Sequence, residues 1–274
     1  MESTEHPLGP QHLAGCLALS TSASWNQNEP DWRLMLEMGH GWGISLVDGT
    51  LVASTLVLPY GNEFAWVSMV LVLPEHRRKG YASRLLRVAL ADLKRRGLTP
   101  ILDATPEGQK VYRREGFRDT WGFKRFFLNR ACGRNHPAVR DLRESDWTPI
   151  LKMDREAFGA SREVLLRALW TRLPEAGLVF QLGKDIQGFL LGREGRESRH
   201  LGPLIADNAQ IARALLETAV QRVGPPLYLD IADHAEDLLE GLEFQRPFTR
   251  MVYGAGRAPG NENSVVLVAG PELG

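Results

Sequence analysis

The feature that most restricts how this chain folds is one spacing that occurs four times. Gly97 and Gly224, Leu102 and Leu229, Asp103 and Asp230, and Phe117 and Phe244 are each 127 positions apart. One such match means little. Four at a single offset, inside the same order of elements, indicate two copies of one α/β unit. In the first copy, "GPQHLAGCLAL" reads as a helix with Pro10 near its first position. The polar loop "STSASWNQNEP" leads into a helix over "EPDWRLMLE" that Asn28 caps. "WGISLVDGTLVASTLVLPY" is a hairpin turning at Asp48-Gly49, and "FAWVSMVLV", apolar on both faces, is a central strand. A helix over "ASRLLRVALADLKRRG" stops at Gly97; then come the strand "TPILDAT", the short helix "PEGQKVYRREG", and "FRDTWGFKRFFLN" as two strands or one bent strand. Past "RACGRNHPA" the order restarts, from strand and helix in "VRDLRESDWTPILKM" to a last helix in "HAEDLLEGLEF". The expected division is a lobe at 1–130, a linker at 131–138 and a second lobe at 139–274.

Thirty-three Lys and Arg balance thirty-three Asp and Glu, which argues against a general nucleic-acid or anionic-membrane binder. Neither Cys16 nor Cys132 belongs to a CxxC pair, and none of the seven histidines has metal-ligand spacing, so no metal is expected. "MESTEHPLGP" lacks the cationic start and apolar run of a signal peptide, and no apolar run approaches the ~20 residues of a membrane span. These features lead to the expectation of a cytoplasmic protein, monomer or homodimer, acting without nucleic acid or membrane.

The chemistry concentrates in "PEHRRKGYASRLLRVAL". Arg77, Arg78 and Lys79 stand where a helix begins, although a helix N-terminus already carries partial positive charge and unpaired N–H groups. An anion would complete the arrangement, and Gly80 lets successive N–H groups converge on it, as a pyrophosphate requires. The alternative is a solvated basic helix start. Neither a Walker GxxxxGK[ST] loop nor a GxGxxG fingerprint is present.

"VLPEHRRKGYA" resembles the acetyl-CoA-binding motif V-x-P-x-x-[QR]-x-x-G-x-[GA] of the GNAT superfamily of acyl-CoA N-acyltransferases, with Arg77, Gly80 and Ala82 at its fixed positions. "VYRREGF" resembles the family's later motif, and the tandem is similar to a bacterial subfamily with a divergent C-terminal domain. The resemblance implies two lobes, each a mixed, mostly antiparallel sheet flanked by helices, and acetyl transfer from acetyl-CoA to the amine of a small molecule by the first. It implies that Val70, Leu71 and Val72 pair with the pantetheine arm, and that the backbone from Arg78 through Lys79, Gly80, Tyr81 and Ala82 to Ser83 holds the pyrophosphate. It places the general acid at Tyr112, whose other reading is a packing tyrosine. For the base it points to Asp103, equally readable as a turn or N-cap aspartate, because the central strand offers Trp66 and Ser68 instead of a carboxylate. Thr105 replaces an asparagine that contacts CoA in many relatives. Trp25, Asn26 and Gln27 would meet the acceptor, the other reading of Trp25 being a cap over the core. At the 127 offset Arg77, Gly80, Tyr112 and Gly116 become Leu204, Asp207, Leu239 and Glu243, so the second lobe is expected to be structural, with Asp207 capping a helix. His200, Asp233 and Arg250 are expected at the surface, with a shared cleft as the other reading. A non-catalytic acyl-CoA-binding regulator is the alternative function.

Overall fold

The structure is a computed structural model that describes residues 3–130, 133–254 and 256–274; Cys132 and part of the expected linker lie outside the described residues. The first half runs β1 (Ser3–Pro7), α1 (Leu13–Ser22), α2 (Glu29–Met38), β2 (His40–Leu46), β3 (Leu51–Tyr60), β4 (Phe64–Val72), α3 (Tyr81–Arg95), β5 (Thr99–Ala104), α4 (Pro106–Arg114) and β6 (Phe117–Leu128). The second runs β7 (Val139–Asp141), α5 (Trp147–Phe158), α6 (Glu163–Arg172), β8 (Leu178–Leu182), β9 (Asp185–Arg193), β10 (Arg199–Ala206), α7 (Ala209–Val223), β11 (Leu227–Ala232), β12 (Leu242–Tyr253) and β13 (Val265–Leu267). Local chemistry explains the boundaries. Asn28 and Asp31 close a reciprocal cap on α2, the Asn28 side chain accepting from the Asp31 N–H at 3.1 Å. β2 and β3 turn through Asp48-Gly49, where Gly49 has φ +86°. Residues 117–128 form one strand, and the helix expected over 234–244 is a short 3-10 turn, Asp233–Leu238, before β12.

All the strands among the described residues join one sheet, in the order β1-β2-β3-β4-β5-β12-β6-β11-β13-β10-β9-β8-β7. The two halves therefore exchange their last long strands: β12 completes the first lobe against β5, and β6 completes the second against β11. β6 and β12 pair antiparallel at the seam, where Phe123 stands opposite Phe248 and their rings stack at 5.0 Å. A pseudo-twofold axis through this pair relates two buried ion pairs. Arg250 on β12 reaches Asp103 on β5, and Arg125 on β6 reaches Asp230 on β11. The largest buried apolar cluster crosses the seam, joining Leu56, Trp66 and Ile101 to Trp147, Leu165 and Val268. Buried apolar contact of this kind is the main source of cohesion between the halves.

The offset of 127 does not hold throughout the repeat. From Tyr81 to Ala209 and from Thr99 to Leu227 it is 128; from Phe117 to Leu242 it is 125; from Phe64 to Arg199 it is 135. The connection ahead of the long helix accounts for much of the irregularity. Residues 73–80 join β4 to α3, whereas only 207 and 208 join β10 to α7. The residue matches at 127 across this connection are thereby corrected. Leu204 lies within β10, Asp207 precedes the cap, and Asn208 caps α7 by accepting from the N–H groups of Gln210 and Ile211. The second half has no counterpart of the basic loop.

Candidate active site

β4 and β5 run parallel for three residue pairs, Phe64–Thr99, Ala65–Pro100 and Trp66–Ile101, and then diverge. The cause lies partly in β4 itself: the register against β3 shifts between Ser54 and Leu56, and Met69 takes a left-handed φ of +50°. Such a bulge bends its strand and is costly for a residue with a Cβ, so it persists where the surroundings hold it. Here the Ser54 hydroxyl donates to the Met69 carbonyl at 2.8 Å. The divergence opens a cleft of about 630 Å³ lined on one side by Val70, Leu71 and Val72 and on the other by Asp103, Thr105 and Tyr112, with Arg77 and Ala82 at its far end.

The basic loop is built for convergence. Arg78 and Gly80 both adopt left-handed φ values, +62° and +82°, and alternating backbone hands turn neighbouring N–H groups toward one point. Arg84 N–H is the first to bond within α3, to the Gly80 carbonyl at 3.0 Å. The N–H groups of Tyr81, Ala82 and Ser83 consequently have no intrahelical acceptor. Arg77 Nε donates to the Val72 carbonyl at 3.3 Å, which folds the loop back against the end of β4. Arg77, Arg78 and Lys79 form no carboxylate pair among the described residues.

Tyr112 comes from α4, whose N-terminus is capped by the Thr105 hydroxyl accepting from Gly108 N–H at 3.3 Å. A Cβ on Gly108 would lie 2.9 Å from Tyr112 Cε2, so the glycine admits the ring. The ring packs edge-on against Phe117, and burial pushes the phenol above its ordinary pKa, keeping it a proton donor at neutral pH. Tyr112 lines both the cleft and a smaller cavity of about 40 Å³, and so do Trp25, Val70, Asp103, Thr105 and Arg246. The smaller cavity extends to Gln27, Ser68, Arg125, Phe248 and Glu272.

The structure separates the residues expected at the site. Val70, Leu71, Val72, Arg77, Ala82, Asp103 and Tyr112 surround one cleft, and Trp25 and Gln27 line the adjoining cavity. Asn26 does not belong with them: its side chain donates to the Ser198 carbonyl at 2.8 Å and accepts from Glu197 and Ser198 N–H, clamping the two halves together. Asp103 is committed as well. Both its oxygens accept from Arg250, at 2.9 Å each, which leaves a carboxylate poorly placed to act as a free base. Burial raises its pKa, with Arg250 opposing that effect. Asp230 begins from the same burial, but Arg125 and His200 outweigh it and hold its carboxyl far below the ordinary range.

The surface placement expected for His200 and Arg250 is overturned, since both are buried against these carboxylates; Asp233 is half exposed. Sequence reasoning also missed Arg125, Arg246, Phe248 and Glu272, which line the small cavity. Three of these four come from β12 and the segment after β13, and no local pattern in their sequence reports the strand exchange that brings them here. Arg246, beside both spaces, has its pKa lowered by burial and by the neighbouring Arg125 charge. Among the described residues no group of three His, Cys, Asp or Glu could hold a metal, and no helix is long and apolar enough to cross a membrane.

Comparison with known proteins matches residues 14–117 to the acetyltransferase (GNAT) family and residues 150–266 to an acetyltransferase (GNAT) domain. The chain is 23% identical over 244 residues to the uncharacterized N-acetyltransferase YitH of Bacillus subtilis, covering 86% of this chain and 84% of that one. It is 26% identical over 241 residues to the holothin acyltransferase of a Pseudoalteromonas species, covering 85% and 81%. Among solved structures, a putative acetyltransferase from Pyrococcus horikoshii superposes with a TM-score of 0.83 at 21% identity, covering 99% of this chain and 96% of that one. A tandem GNAT protein from the clavulanic acid biosynthesis pathway gives 0.63 at 15% identity, covering 93% and 99%.

Proposed function

Because the chain belongs to the GNAT acetyltransferases, with two such domains in tandem, and is thus an acyltransferase, we propose that its first lobe moves the acetyl group of acetyl-CoA onto the amine of a small molecule. The observation that carries this reading is the open divergence of β4 and β5, which runs from Arg77 and Ala82 of the basic loop to Tyr112. The pyrophosphate sits on the backbone of Arg78, Lys79, Gly80, Tyr81, Ala82 and Ser83, where the helix dipole adds to the loop's own charge. The pantetheine arm lies along Val70, Leu71 and Val72, taking the place of the ladder partner that β5 no longer supplies. The thioester then falls where cleft and cavity meet, beside Tyr112.

The acceptor enters the cavity behind Trp25 and attacks as a neutral amine. Alkyl ammonium groups have a pKa near ~10.4, so one proton leaves before attack. Nitrogen bonds to the thioester carbon, the C–S bond breaks, and Tyr112 protonates the departing thiolate. The raised pKa of Tyr112 keeps the phenol protonated until that moment, and because a thiol is the stronger acid at ~8.5, donation is concerted with bond cleavage. A cavity this small favours a compact amine over a protein N-terminus. The test is thiol release from acetyl-CoA with a panel of small primary amines. Turnover with at least one amine is expected; acetyl-CoA binding without turnover on any would favour the regulatory alternative.

A further inference from the structure

We infer that Glu272, carried into the first-lobe site by the last segment of the chain, forms with Gln27 the subsite that receives the acceptor's amine, and that Glu272 takes its proton. The inference rests on the acetyl-transfer reading above. Two carboxylates line the small cavity, and they differ in what they have to spare. Asp103 gives both oxygens to Arg250. Glu272 gives only Oε1, to Arg193, and its Oε2 is buried without a hydrogen-bond partner. Arg193 also pairs with Asp31 at 3.0 Å, so Glu272 has only a share of that cation. On the same cavity, Gln27 Oε1 is a second buried acceptor with no donor. Both side chains are over nine-tenths buried. Unpaired buried acceptors are costly, and two on side chains that line one cavity favour a ligand that brings N–H groups and no lone pair of its own, even with Arg125 and Arg246 on the same lining. A primary ammonium group meets that description.

The segment holding Glu272 is fixed along its length. Trp66 Nε1 donates to the Pro271 carbonyl at 3.0 Å, Tyr60 OH to the Leu273 carbonyl at 2.7 Å, and Arg193 and Arg162 to the Ala269 and Gly274 carbonyls. Tyr60 and Trp66 belong to the first lobe, so this lobe itself grips the segment. The ammonium binds through its N–H groups to Glu272 Oε2 and Gln27 Oε1 and passes one proton to Glu272. The neutral amine attacks the thioester, the thiolate takes a proton from Tyr112, and the amide nitrogen's second proton restores the phenol. Glu272 releases its proton to solvent, so the sum is ammonium plus acetyl-CoA giving amide, CoA thiol and one proton.

The experiment measures steady-state thiol release from acetyl-CoA with a panel of small primary amines, for wild type, Glu272→Gln and Gln27→Leu, alongside melting temperatures. Glu272→Gln is expected to lower kcat/KM for the amine at least tenfold while leaving the KM for acetyl-CoA within twofold. Gln27→Leu removes an unsatisfied buried oxygen, so it is expected to melt no lower than wild type yet raise the amine KM several-fold. A purely structural role does not produce that opposition. An active wild type with unchanged amine kinetics in folded Glu272→Gln, or in Gln27→Leu, overturns the subsite and leaves the transferase intact. If Glu272→Gln does not fold, Gln27→Leu decides alone. A wild type that neither binds acetyl-CoA nor releases thiol overturns the transferase reading itself.

Discussion

The ion pair between Asp103 and Arg250 ties the first lobe to a strand lent by the second, and its removal has a calculable cost. Both side chains are buried, 0% and 6% exposed, and two hydrogen bonds of 2.9 Å join them. Arg250 also lies between the rings of Trp66 and Trp121, at 4.5 and 4.3 Å. Arg250→Met preserves much of the apolar bulk between the rings but strands a buried carboxylate, a loss of about 3–5 kcal/mol. At roughly 2–4 °C per kcal/mol for a chain of this size, the melting temperature should fall by about 10 °C. Adding Asp103→Asn removes the orphaned charge, and the double variant should recover at least half of that loss. The pH dependence has a definite sign. Burial already raises the Asp103 pKa with Arg250 present, and without Arg250 the rise is larger. A carboxyl raised in the folded state contributes stability that is full below its unfolded pKa of ~3.9 and is lost as pH climbs through the folded value. The deficit of Arg250→Met relative to wild type should therefore be smallest near pH 4.5 and grow toward pH 7. Differential scanning fluorimetry across that range is the assay. A single variant within 2 °C of wild type at pH 7, a deficit independent of pH, or a double variant no better than the single would each refute this account of the pair.

Three further outcomes are expected. Gly80→Asp combines left-handed backbone strain with a charge facing the pyrophosphate, and should weaken acetyl-CoA binding more than tenfold, over ~1.4 kcal/mol, by calorimetry; unchanged affinity would remove the loop from the site. Tyr112→Phe should reduce turnover by ~10²–10⁴-fold with CoA affinity nearly intact, and wild-type turnover from pH 6 to 9 would demote Tyr112 to packing. Titration of the intact chain should give one acetyl-CoA per molecule; two equivalents, or one persisting in Gly80→Asp, would place a working site in the second lobe.

What the sequence disclosed and what it withheld divide along a physical line. Elements governed by local chemistry were readable: the Asn28 cap, the Asp48-Gly49 turn, the strand Phe64–Val72 and the loop at Gly80 each depend on residues within a few positions. The doubled architecture was readable as well, because it leaves a periodic trace. Long-range pairing leaves none. The preference of β12 for β5 is expressed by contacts such as Arg250 with Asp103, 147 positions apart, and the residues themselves look like those of any amphipathic strand. Hence the burial of Arg250 and His200, the hold of Arg250 on Asp103 and the place of Glu272 at the cavity have no local signal in the sequence. The constant offset failed for a related reason. A match of letters cannot show that the connection between β10 and α7 is six residues shorter than that between β4 and α3, and that difference in length, rather than the substitutions Leu204 and Asp207, is why the second half lacks the basic loop.

The two lobes part their strands alike and fill the gap differently. β10 and β11 run parallel for three pairs, Arg199–Leu227 to Leu201–Leu229, and then separate, as β4 and β5 do. In the first lobe the parting is an open cleft. In the second, β13 lies in it, pairing Leu204 and Ile205 of β10 with Leu267 and Val265, and Ile231 of β11 with Leu267. A divergence leaves two strand edges with unpaired backbone groups, and burying such groups is costly unless something pairs with them. A short strand of the same chain supplies those partners. The chain then bonds Val268 N–H to the Asp230 carbonyl at 3.1 Å and continues to Glu272 at the first-lobe cavity. Filling one cleft thus sets the path of the segment that reaches the other, which is a physical reason for the first lobe to retain a partner that has no basic loop of its own.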